Sequence, residues 1–359
     1  MGGVKTRFKL EATVAAVCVL VLSGCGSGSG SSAGSSPGST APSTTGSGGS
    51  TSASAAPTSA SAGGLAGSGA GLKVGYISLG DSVPFVKLVS DNIKAQAKVA
   101  GVQLLFCDSQ LDAAKALACA QTFKTQGAQG IINFQLAEKA AAQICAAGPA
   151  VPVVAVDIHQ KPCEKVFMGA NNKLAGEMAG KALGEYFKKT FHCAYDAYVS
   201  MEQPAAGQVN TDRAGGAIDG FSSVCGPVPS SKLRHVDGSG TIDGGQKTFG
   251  DTLTALSGAK RIAVTSLNDD MLLGSFAAAK AQNRQGQIYG AAQGADPSSF
   301  SNIRSNPNWI GDTAYFPEHY GEICIPAIIA LIKGKTEPAD LFTKHVFVKK
   351  DNISQYYPG

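Results

Sequence analysis

The stretch RIAVTSLNDDMLLGSFAAAKAQ, residues 261–282, places a short apolar run directly before a longer segment with helical periodicity. Residues 261–266 combine β-branched and apolar side chains, which is typical of a buried strand. Residues 270–282 carry apolar side chains at helical spacing. Asp269 and Asp270 stand where this helix begins, a position at which acidic side chains commonly act as caps. The stretch therefore predicts a strand that leads directly into a helix.

The same alternation of strand and helix continues along the chain on both sides of this stretch. Further strands are predicted at residues 73–78, 102–106, 130–134, 151–156, 197–201, 233–236 and 287–292. Helix-compatible segments lie between them, at residues 84–100, 111–126, 136–147, 172–190, 207–224 and 243–257. Such alternation predicts βαβ units and parallel sheets with right-handed crossovers. Open sheets of this kind bind ligands beyond the carboxyl ends of their strands, so the functional residues are expected there.

Size and charge limit the class of protein. The segment from Leu72 to Gly359 is long enough for a substantial core and is more natural as two lobes than as one. The full chain has a formal net charge of +4. A net charge this small does not indicate the concentrated basic face that a nucleic-acid-binding protein needs. No zinc-finger spacing or nucleophile–base set is present either, so we expect no nucleic acid, no metal, no cofactor and no enzymatic activity.

The N-terminal segment has the pattern of an export signal. Lys5, Arg7 and Lys9 precede the uncharged apolar run 12–22, which is too short to cross a bilayer of about 30 Å as a helix. The following Leu-Ser-Gly-Cys, residues 22–25, resembles the lipobox of bacterial lipoproteins, in which cleavage before the cysteine frees its thiol for a lipid. We therefore expect a signal peptide over 1–24 and lipidation of Cys25, although an ordinary signal peptide with a chance cysteine is the alternative.

The segment after Cys25 predicts a tether. Residues 26–71 contain no charged residue and consist almost entirely of Gly, Ser, Ala, Thr and Pro. Such a composition cannot bury enough apolar surface to offset the entropy lost on ordering. The sequence therefore predicts a disordered tether over 25–71 that holds a folded module at the outer face of the cell membrane.

Seven cysteines follow the tether, which agrees with an oxidising compartment. Sequence alone does not determine how they pair. Sequential pairing is the hypothesis: Cys107 with Cys119, Cys145 with Cys163, and Cys193 with Cys225. Cys324 would remain, and its apolar surroundings favour a buried free thiol over a metal ligand.

Several segments carry a family resemblance that covers nearly the whole module. They are YISLGDSVPF (76–85), VPVVAVDIHQ (151–160), GANNKLAGEMAG (169–180), SLNDDMLLG (266–274) and HVFVKKDNISQYYP (345–358). The module resembles the ribose/galactose-type periplasmic sugar-binding proteins of ABC importers. The resemblance implies an α/β fold with two doubly wound parallel-sheet lobes joined by a three-segment hinge. It assigns 72–171 and 316–344 to the N-terminal lobe, and 172–315 and 345–359 to the C-terminal lobe.

The resemblance also implies which residues bind a ligand between the lobes. Residues that match family contacts, or that lie on the same rim of strand ends, are Ser78, Asp81, Phe85, Gln135, Asp157, His159, Asn268, Gln293 and Tyr315. Paired hydrogen bonds and aromatic contacts of this kind suit a sugar. Asp157 or Asn268 could instead cap helices, and Phe85 could instead fill the core. The arginine usual in the family falls on Ala217, but Arg213 lies on the same helix face and could reach the cleft.

These features predict a function and two alternatives. The leading hypothesis is a monomeric, lipid-anchored, extracytoplasmic substrate-binding protein that delivers a monosaccharide or small polyol to an ABC permease. A ligand-binding subunit of a membrane sensor is the second hypothesis. An extracellular hydrolase on an α/β scaffold is the third, and no motif in the sequence supports it.

Overall fold

The computed structural model describes residues 62–359. The predicted signal peptide, Cys25 and most of the predicted tether lie outside the described residues, and so does Cys18. No helix within the described range is long and apolar enough to cross a membrane.

Residues 62–169 alternate between helices and strands, as the hydrophobic pattern predicts. The elements are α1 (Ala62–Leu65), β1 (Lys73–Ser78), α2 (Pro84–Ala100), β2 (Gln103–Asp108), α3 (Ala113–Thr125), β3 (Gly130–Asn133), α4 (Ala141–Ala147), β4 (Val153–Val156) and β5 (Glu164–Gly169). Helix α2 shows why the pattern works, since Val86, Val89, Ile93 and Ala97 are buried at helical spacing.

Residues 172–314 repeat this arrangement. The elements are α5 (Asn172–Phe191), β6 (Ala197–Glu202), α6 (Gln208–Cys225), β7 (Leu233–Asp237), α7 (Ile242–Ala255), β8 (Ile262–Ser266), α8 (Asp269–Ala281), β9 (Ile288–Gly294), α9 (Phe300–Ser305) and β10 (Trp309–Ala314). The chain ends with α10 (Tyr320–Ile332), β11 (Asp340–Phe342), β12 (Val346–Val348) and α11 (Ile353–Tyr356).

The strands form two six-stranded sheets. The first has the order β11-β5-β4-β3-β1-β2, and its half of the molecule is called the N-terminal lobe below. The second has the order β12-β10-β9-β8-β6-β7 and belongs to the C-terminal lobe. All pairings are parallel except that of β10 with β12. The chain passes between the sheets after β5, after β10 and after β11, so the prediction of two α/β lobes joined by three segments is confirmed.

Strands β5 and β10 were not anticipated from the sequence. Their segments, EKVFMG and WIGDTA, include charged residues or glycine among the apolar ones, which weakens the strand signal. Parallel pairing with β4 and with β9 respectively makes them strands, and such pairing is not visible in a local pattern.

The start of the N-terminal lobe differs from the sequence prediction, which extended the disordered tether to residue 71. Residues 62–71 are ordered against the lobe in this structure. Leu65 is buried in the core, and the Gly69 N–H donates to the Ala100 carbonyl at 2.8 Å. Lys333 Nζ donates to the Ser68 carbonyl at 2.7 Å. A single leucine supplies the apolar anchor that composition averaged over the whole segment does not reveal.

The three sequential disulfides are present in the structure. They join Cys107 to Cys119, Cys145 to Cys163, and Cys193 to Cys225. Cys324, on α10, is buried and free, and burial raises the pKa of its thiol. Residues 62–359 contain no group of three or more His, Cys, Asp or Glu side chains that could hold a metal ion.

Candidate ligand-binding cleft

A cleft lies between the two lobes, at the carboxyl ends of strands from both sheets. The space between its walls, counted to the open mouth, is about 750 Å³. Because the strands of each lobe are parallel, the segments that follow them meet at one edge, and the hinge brings the two edges face to face.

The N-lobe wall of this cleft is apolar. Its residues follow β1, β2, β3 and β4, and they are Leu79, Val83, Phe85, Val86, Leu111, Phe134, Leu136, Asp157 and Ile158. Among these lining residues, drawn from the described part of the chain, Asp157 alone carries a polar side chain.

The C-lobe wall is polar by contrast. Its polar side chains follow β6, β7, β8 and β9, and they are Gln203, Arg213, Ser239, Thr241, Asn268, Asp269, Asp270, Gln293 and Asp296. Ala206, Val209 and Leu267 add smaller apolar areas, and Tyr315 extends from the end of β10.

Asp157 and Arg213 face the cleft from opposite lobes. Asp157 is 4% exposed, and one carboxylate oxygen accepts a hydrogen bond from the Tyr320 hydroxyl at 3.0 Å. Burial raises the pKa of Asp157 to about 6, although the positive charge of Arg213 works in the opposite direction. The two side chains do not form a salt bridge with each other. Both therefore retain hydrogen-bonding capacity toward the space between them.

Helix packing explains how Arg213 reaches the cleft. Helices α5 and α6 lie so close that a Cβ atom at Gly180 would overlap the Ala217 carbonyl, and one at Gly176 would overlap the Arg213 carbonyl. Ala217 is therefore buried in the helix interface, where an arginine side chain has no room. Arg213, one turn earlier, donates from Nε to the Asn172 Oδ1 atom at 2.7 Å and from a terminal nitrogen to the Leu267 carbonyl at 3.3 Å. It lines the cleft, and its remaining N–H groups have no protein partner within the described residues.

The aromatic side chains form the base of the cleft. Phe85 packs edge-on against Tyr315 and Tyr320, with ring centroids 6.2 and 5.9 Å apart. The Arg213 guanidinium carbon lies 4.8 Å from the centre of the Tyr315 ring. The Tyr315 hydroxyl donates to the Gln293 Oε1 atom at 2.9 Å. This cluster joins the lobes at the hinge, because Tyr315 directly follows β10, the last strand before the second crossing.

Four buried aspartates cluster at the C-lobe wall: Asp269, Asp270 and Asp296 line the cleft, and Asp312 lies on β10. Burial, together with the charges of Asp312 and Asp296, raises the pKa of Asp269 well above its usual range. Burial also raises the pKa of Asp312 to about 6. Asp312 Oδ1 accepts from the Ala292 N–H and from Trp309 Nε1 at 3.1 and 2.9 Å, whereas Asp312 Oδ2 and Asp269 Oδ1 have no partner among the described residues. The raised pKa of Asp269 favours a proton on this pair.

Asp270, like Asp269 and Asp312, has one carboxylate oxygen without a partner among the described residues. It is 6% exposed and lines the cleft, yet its Oδ1 atom is buried without a hydrogen bond from the described residues. Burial, with a further contribution from the charge of Asp296, raises the pKa of Asp270 to about 6. An unsatisfied buried oxygen costs free energy, which a donor on a ligand would recover.

Asn268 has a structural role as well as a place in the wall. It caps α8, since its Oδ1 atom accepts from the Met271 N–H at 3.0 Å. Its amide group donates to the Gly240 carbonyl at 2.8 Å. The capping alternative thus holds for Asn268, whereas Asp157 stands at the end of a strand and accepts from a tyrosine.

Four residues predicted for the site do not line the cleft. Ser78 donates to Asp81 at 2.6 Å, and Asp81 also accepts from Lys94 at 3.0 Å. The side-chain amide of Gln135 donates from Nε2 to Gln160 Oε1 at 2.7 Å, and its Oε1 atom accepts from the Ala137 N–H.

His159, the fourth, pairs with Glu164 at 2.9 Å and stacks on Phe167 with centroids 4.4 Å apart. The hydrogen bond that His159 donates to the Glu164 carboxylate raises the pKa of His159. Each of the four residues is thus engaged with its own lobe.

Sequence reasoning missed two groups that the structure brings to the cleft. Asp269, Asp270 and Asp296 line it, although the first two were interpreted as caps. Their position directly after a buried strand was the available signal. The apolar N-lobe wall gave no signal, because leucine and valine at strand ends look the same whether they face a core or a cleft.

Comparison with known proteins places the chain in a family. The model of the periplasmic binding protein domain matches residues 74–336. No curated protein is significantly similar to the chain in sequence.

Solved structures show the same fold. One is an ABC transporter solute-binding protein from Mycobacterium smegmatis with bound glycerol, at 23% identity over 80% of this chain and 96% of that one, with a TM-score of 0.70. Another, from the same organism, is in complex with β-D-fucofuranose, at 20% identity over 80% and 94%, with a TM-score of 0.68. A third is the fructose-binding periplasmic domain of a hybrid two-component system, at 16% identity over 79% and 93%, with a TM-score of 0.66. The two-lobed fold and the family match together show that this chain belongs to the periplasmic binding protein domain family.

Proposed function

We propose that this protein captures a monosaccharide or small polyol in the cleft between its lobes and delivers it to an ABC importer. The main support is that side chains with hydrogen-bonding groups still available to a ligand line the cleft from both lobes. They are Asp157 on one side, and Arg213 and Asp270 on the other. Glycerol and fucofuranose in the cited Mycobacterium smegmatis proteins support a hydroxylated ligand.

The proposed contacts follow from donor and acceptor inventories. Asp157 accepts from ligand hydroxyls, Arg213 donates to ligand oxygens, and Asp270 offers its unpaired oxygen to a hydroxyl donor. Phe85 and Tyr315 present ring edges and faces to ligand C–H groups. Gln293 and Asn268 complete the wall through oxygens that each have room for a second donor.

The test is a thermal-shift screen of the purified full chain against sugars, polyols and nucleosides, followed by calorimetry. A ligand at 100 times its dissociation constant stabilises a protein by about 2.7 kcal/mol. Asp157→Ala should weaken binding roughly ten- to a hundredfold, because a hydrogen bond to a charged group contributes about 1.5–3 kcal/mol. Unchanged affinity in that variant would contradict the site, and absence of any binding would contradict the function.

We further propose that lipid on Cys25 anchors the mature protein outside the cell membrane. Cys25→Ser should abolish incorporation of labelled lipid, while Cys18→Ser, a change within the apolar run, should leave it intact. Equal labelling of all three proteins would contradict the anchor.

The partner is tested separately from the ligand. Deletion of the protein should abolish uptake of the ligand found in the screen, as expected for a transporter subunit. The sensor neighbour motivates the alternative, in which uptake persists and a ligand-induced transcriptional response is lost instead.

A further inference from the structure

The two walls of the cleft demand different chemistry from one ligand. The N-lobe wall, defined by the strand-end residues given above, offers side chains such as Leu79, Val83, Leu111, Leu136 and Ile158. None of these five can donate or accept a hydrogen bond through its side chain. The C-lobe wall offers carboxyl, amide and guanidinium groups.

Several backbone N–H groups of the N-lobe wall are already bonded within the lobe. The Leu111 N–H donates to the Leu79 carbonyl at 2.7 Å, and the Val83 N–H donates to the Gly80 carbonyl at 3.0 Å. The N–H groups of Phe134 and Ile158 are likewise bonded within the lobe, at 2.9 and 2.6 Å. A ligand hydroxyl turned toward these apolar side chains, away from Asp157, would lose its hydrogen bonds to water and find no side-chain donor or acceptor there.

The polar side chains that were expected on this wall are committed elsewhere. Ser78, Asp81, Gln135 and His159 all bond within the N-terminal lobe and stand behind or beside the wall. Asp157 is thus the one side chain on the N-lobe wall, within the described residues, that can fix a ligand hydroxyl.

Leu111 is an independent sign that the wall is functional. Its φ angle is +62°, a left-handed conformation that disfavours leucine, and the side chain is 36% exposed at the cleft. Asparagine or glycine would suit this backbone and this exposure better. An exposed apolar side chain on an unfavourable backbone is consistent with a position held for binding.

We infer that the ligand is amphipathic, a deoxy or O-alkylated sugar or polyol whose apolar face lies on the N-lobe wall and whose hydroxyls face the C-lobe wall. This inference rests on the proposed function and narrows its ligand class. Asp270 and Arg213 orient the hydroxylated face, since they hold unspent acceptor and donor capacity. The apolar face is selected because a hydroxyl there would be buried without a partner.

The experiment compares matched ligands on the full chain by calorimetry. The pairs are D-galactose with D-fucose, L-mannose with L-rhamnose, and D-glucose with methyl α-D-glucopyranoside, and D-glucosamine is included. We expect the deoxy or methylated member of at least one pair to bind about tenfold more tightly than its parent.

A variant links this preference to the wall. Leu111→Asn replaces the apolar side chain with one that tolerates the left-handed backbone, so folding should be retained. It should reduce the tenfold preference to about threefold or less. Leu174→Asn, the same change at a 44% exposed leucine away from the cleft, should leave the preference unchanged. Leu136→Asn repeats the test at the segment that follows β3.

The outcomes separate this inference from the function on which it rests. If each parent sugar binds as tightly as its deoxy or methylated derivative in every pair, the inference of an amphipathic ligand is overturned and sugar binding is left intact. Tight binding of D-glucosamine alone would overturn it in favour of a cationic ligand. A preference that survives Leu111→Asn and Leu136→Asn would overturn the role of the wall. No binding by any member would overturn the proposed function as well.

Discussion

The two walls of the cleft are built on equivalent strand ends, yet they carry opposite chemistry. Segments after β1 to β4 present aliphatic side chains, and several of their backbone N–H groups are already bonded within the lobe. Segments after β6 to β9 present buried carboxyls, of which Asp270 keeps an unpaired oxygen. The same fold thus provides a non-directional surface on one side and a directional one on the other.

This difference between the walls indicates which of them lowers the stability of the empty protein. Burying apolar side chains stabilises the N-terminal lobe, so its wall costs the empty protein little. Burying Asp269, Asp270, Asp296 and Asp312 together raises their pKa values and destabilises the C-terminal lobe. We expect the polar wall to be the costly and the ligand-orienting half of the cleft.

The largest effect is expected at Arg213. Arg213→Met removes charged hydrogen bonds to the ligand and to Asn172, so affinity for the best sugar of the screen should fall roughly a hundredfold or more. Calorimetry on the variant measures this loss. Arg213→Lys keeps the charge but not the planar fork, and should recover only part of the affinity. Full recovery with lysine would mean that charge alone matters on this wall.

Asp270→Asn should have opposite effects on affinity and on stability. Affinity should fall about tenfold, because a charged acceptor is lost. In the empty protein the pKa of Asp270 is raised from 3.8 to about 6, so this carboxyl favours the folded state at low pH. That contribution is lost as pH rises from about 4 through 6, to the extent of roughly 3 kcal/mol. The neutral amide avoids this loss.

Melting temperatures at two pH values measure the stability effect. The Asp270→Asn protein should melt higher than wild type by several degrees at pH 7.5, and the difference should shrink toward pH 4. A constant difference at both pH values would show that the raised pKa of Asp270 is not its cause.

A smaller effect on affinity is expected at Asn268, where the cap and the cleft compete. Asn268→Ala removes the bond to the Met271 N–H and should lower stability by about 1 kcal/mol. Affinity should fall only a few-fold, because both polar groups of the side chain already serve the protein. Asn268→Ser restores a capping oxygen and serves as the control. A loss of affinity as large as that in Asp270→Asn would instead make Asn268 a principal ligand contact.

The smallest effect on affinity is expected at His159. His159→Ala breaks the pair with Glu164 beside the N-lobe wall, and affinity should change less than twofold because the ring lies outside the cleft lining. Glu164 raises the pKa of His159 and favours its charged form in the folded state. As pH decreases, the stability of the wild type should therefore fall less steeply than that of the variant. A tenfold loss of affinity would return His159 to the site.

Much of this molecule could be anticipated from local patterns. The periodicity of apolar residues predicted α2, α5, α6 and α8 within a few residues of their observed bounds. It does so because a helix buries one face, so its apolar residues recur at a fixed spacing in the sequence. The order of cysteines suggested pairs that the structure contains. The family motifs led to Phe85, Asp157, Asn268, Gln293 and Tyr315, all of which line the cleft.

Other features depended on contacts between distant segments. Whether Ser78 or Gln135 faces the cleft depends on partners such as Ser90 and Gln160, which no motif around the two residues reveals. The reach of Arg213 depends on the glycine-mediated approach of α5 to α6.

Sequence by itself therefore determined the strand–helix alternation, the parallel sheets and the edge at which a ligand would bind, since these follow from the short-range periodicity of apolar side chains. Only the tertiary structure decided the character of that edge. The same leucine or aspartate at a strand end is core, cap or cleft wall according to what the other lobe and the neighbouring helices place against it. Hydrogen-bond partners that lie far apart in the chain decide which polar groups are already bonded within the protein and which remain available to a ligand.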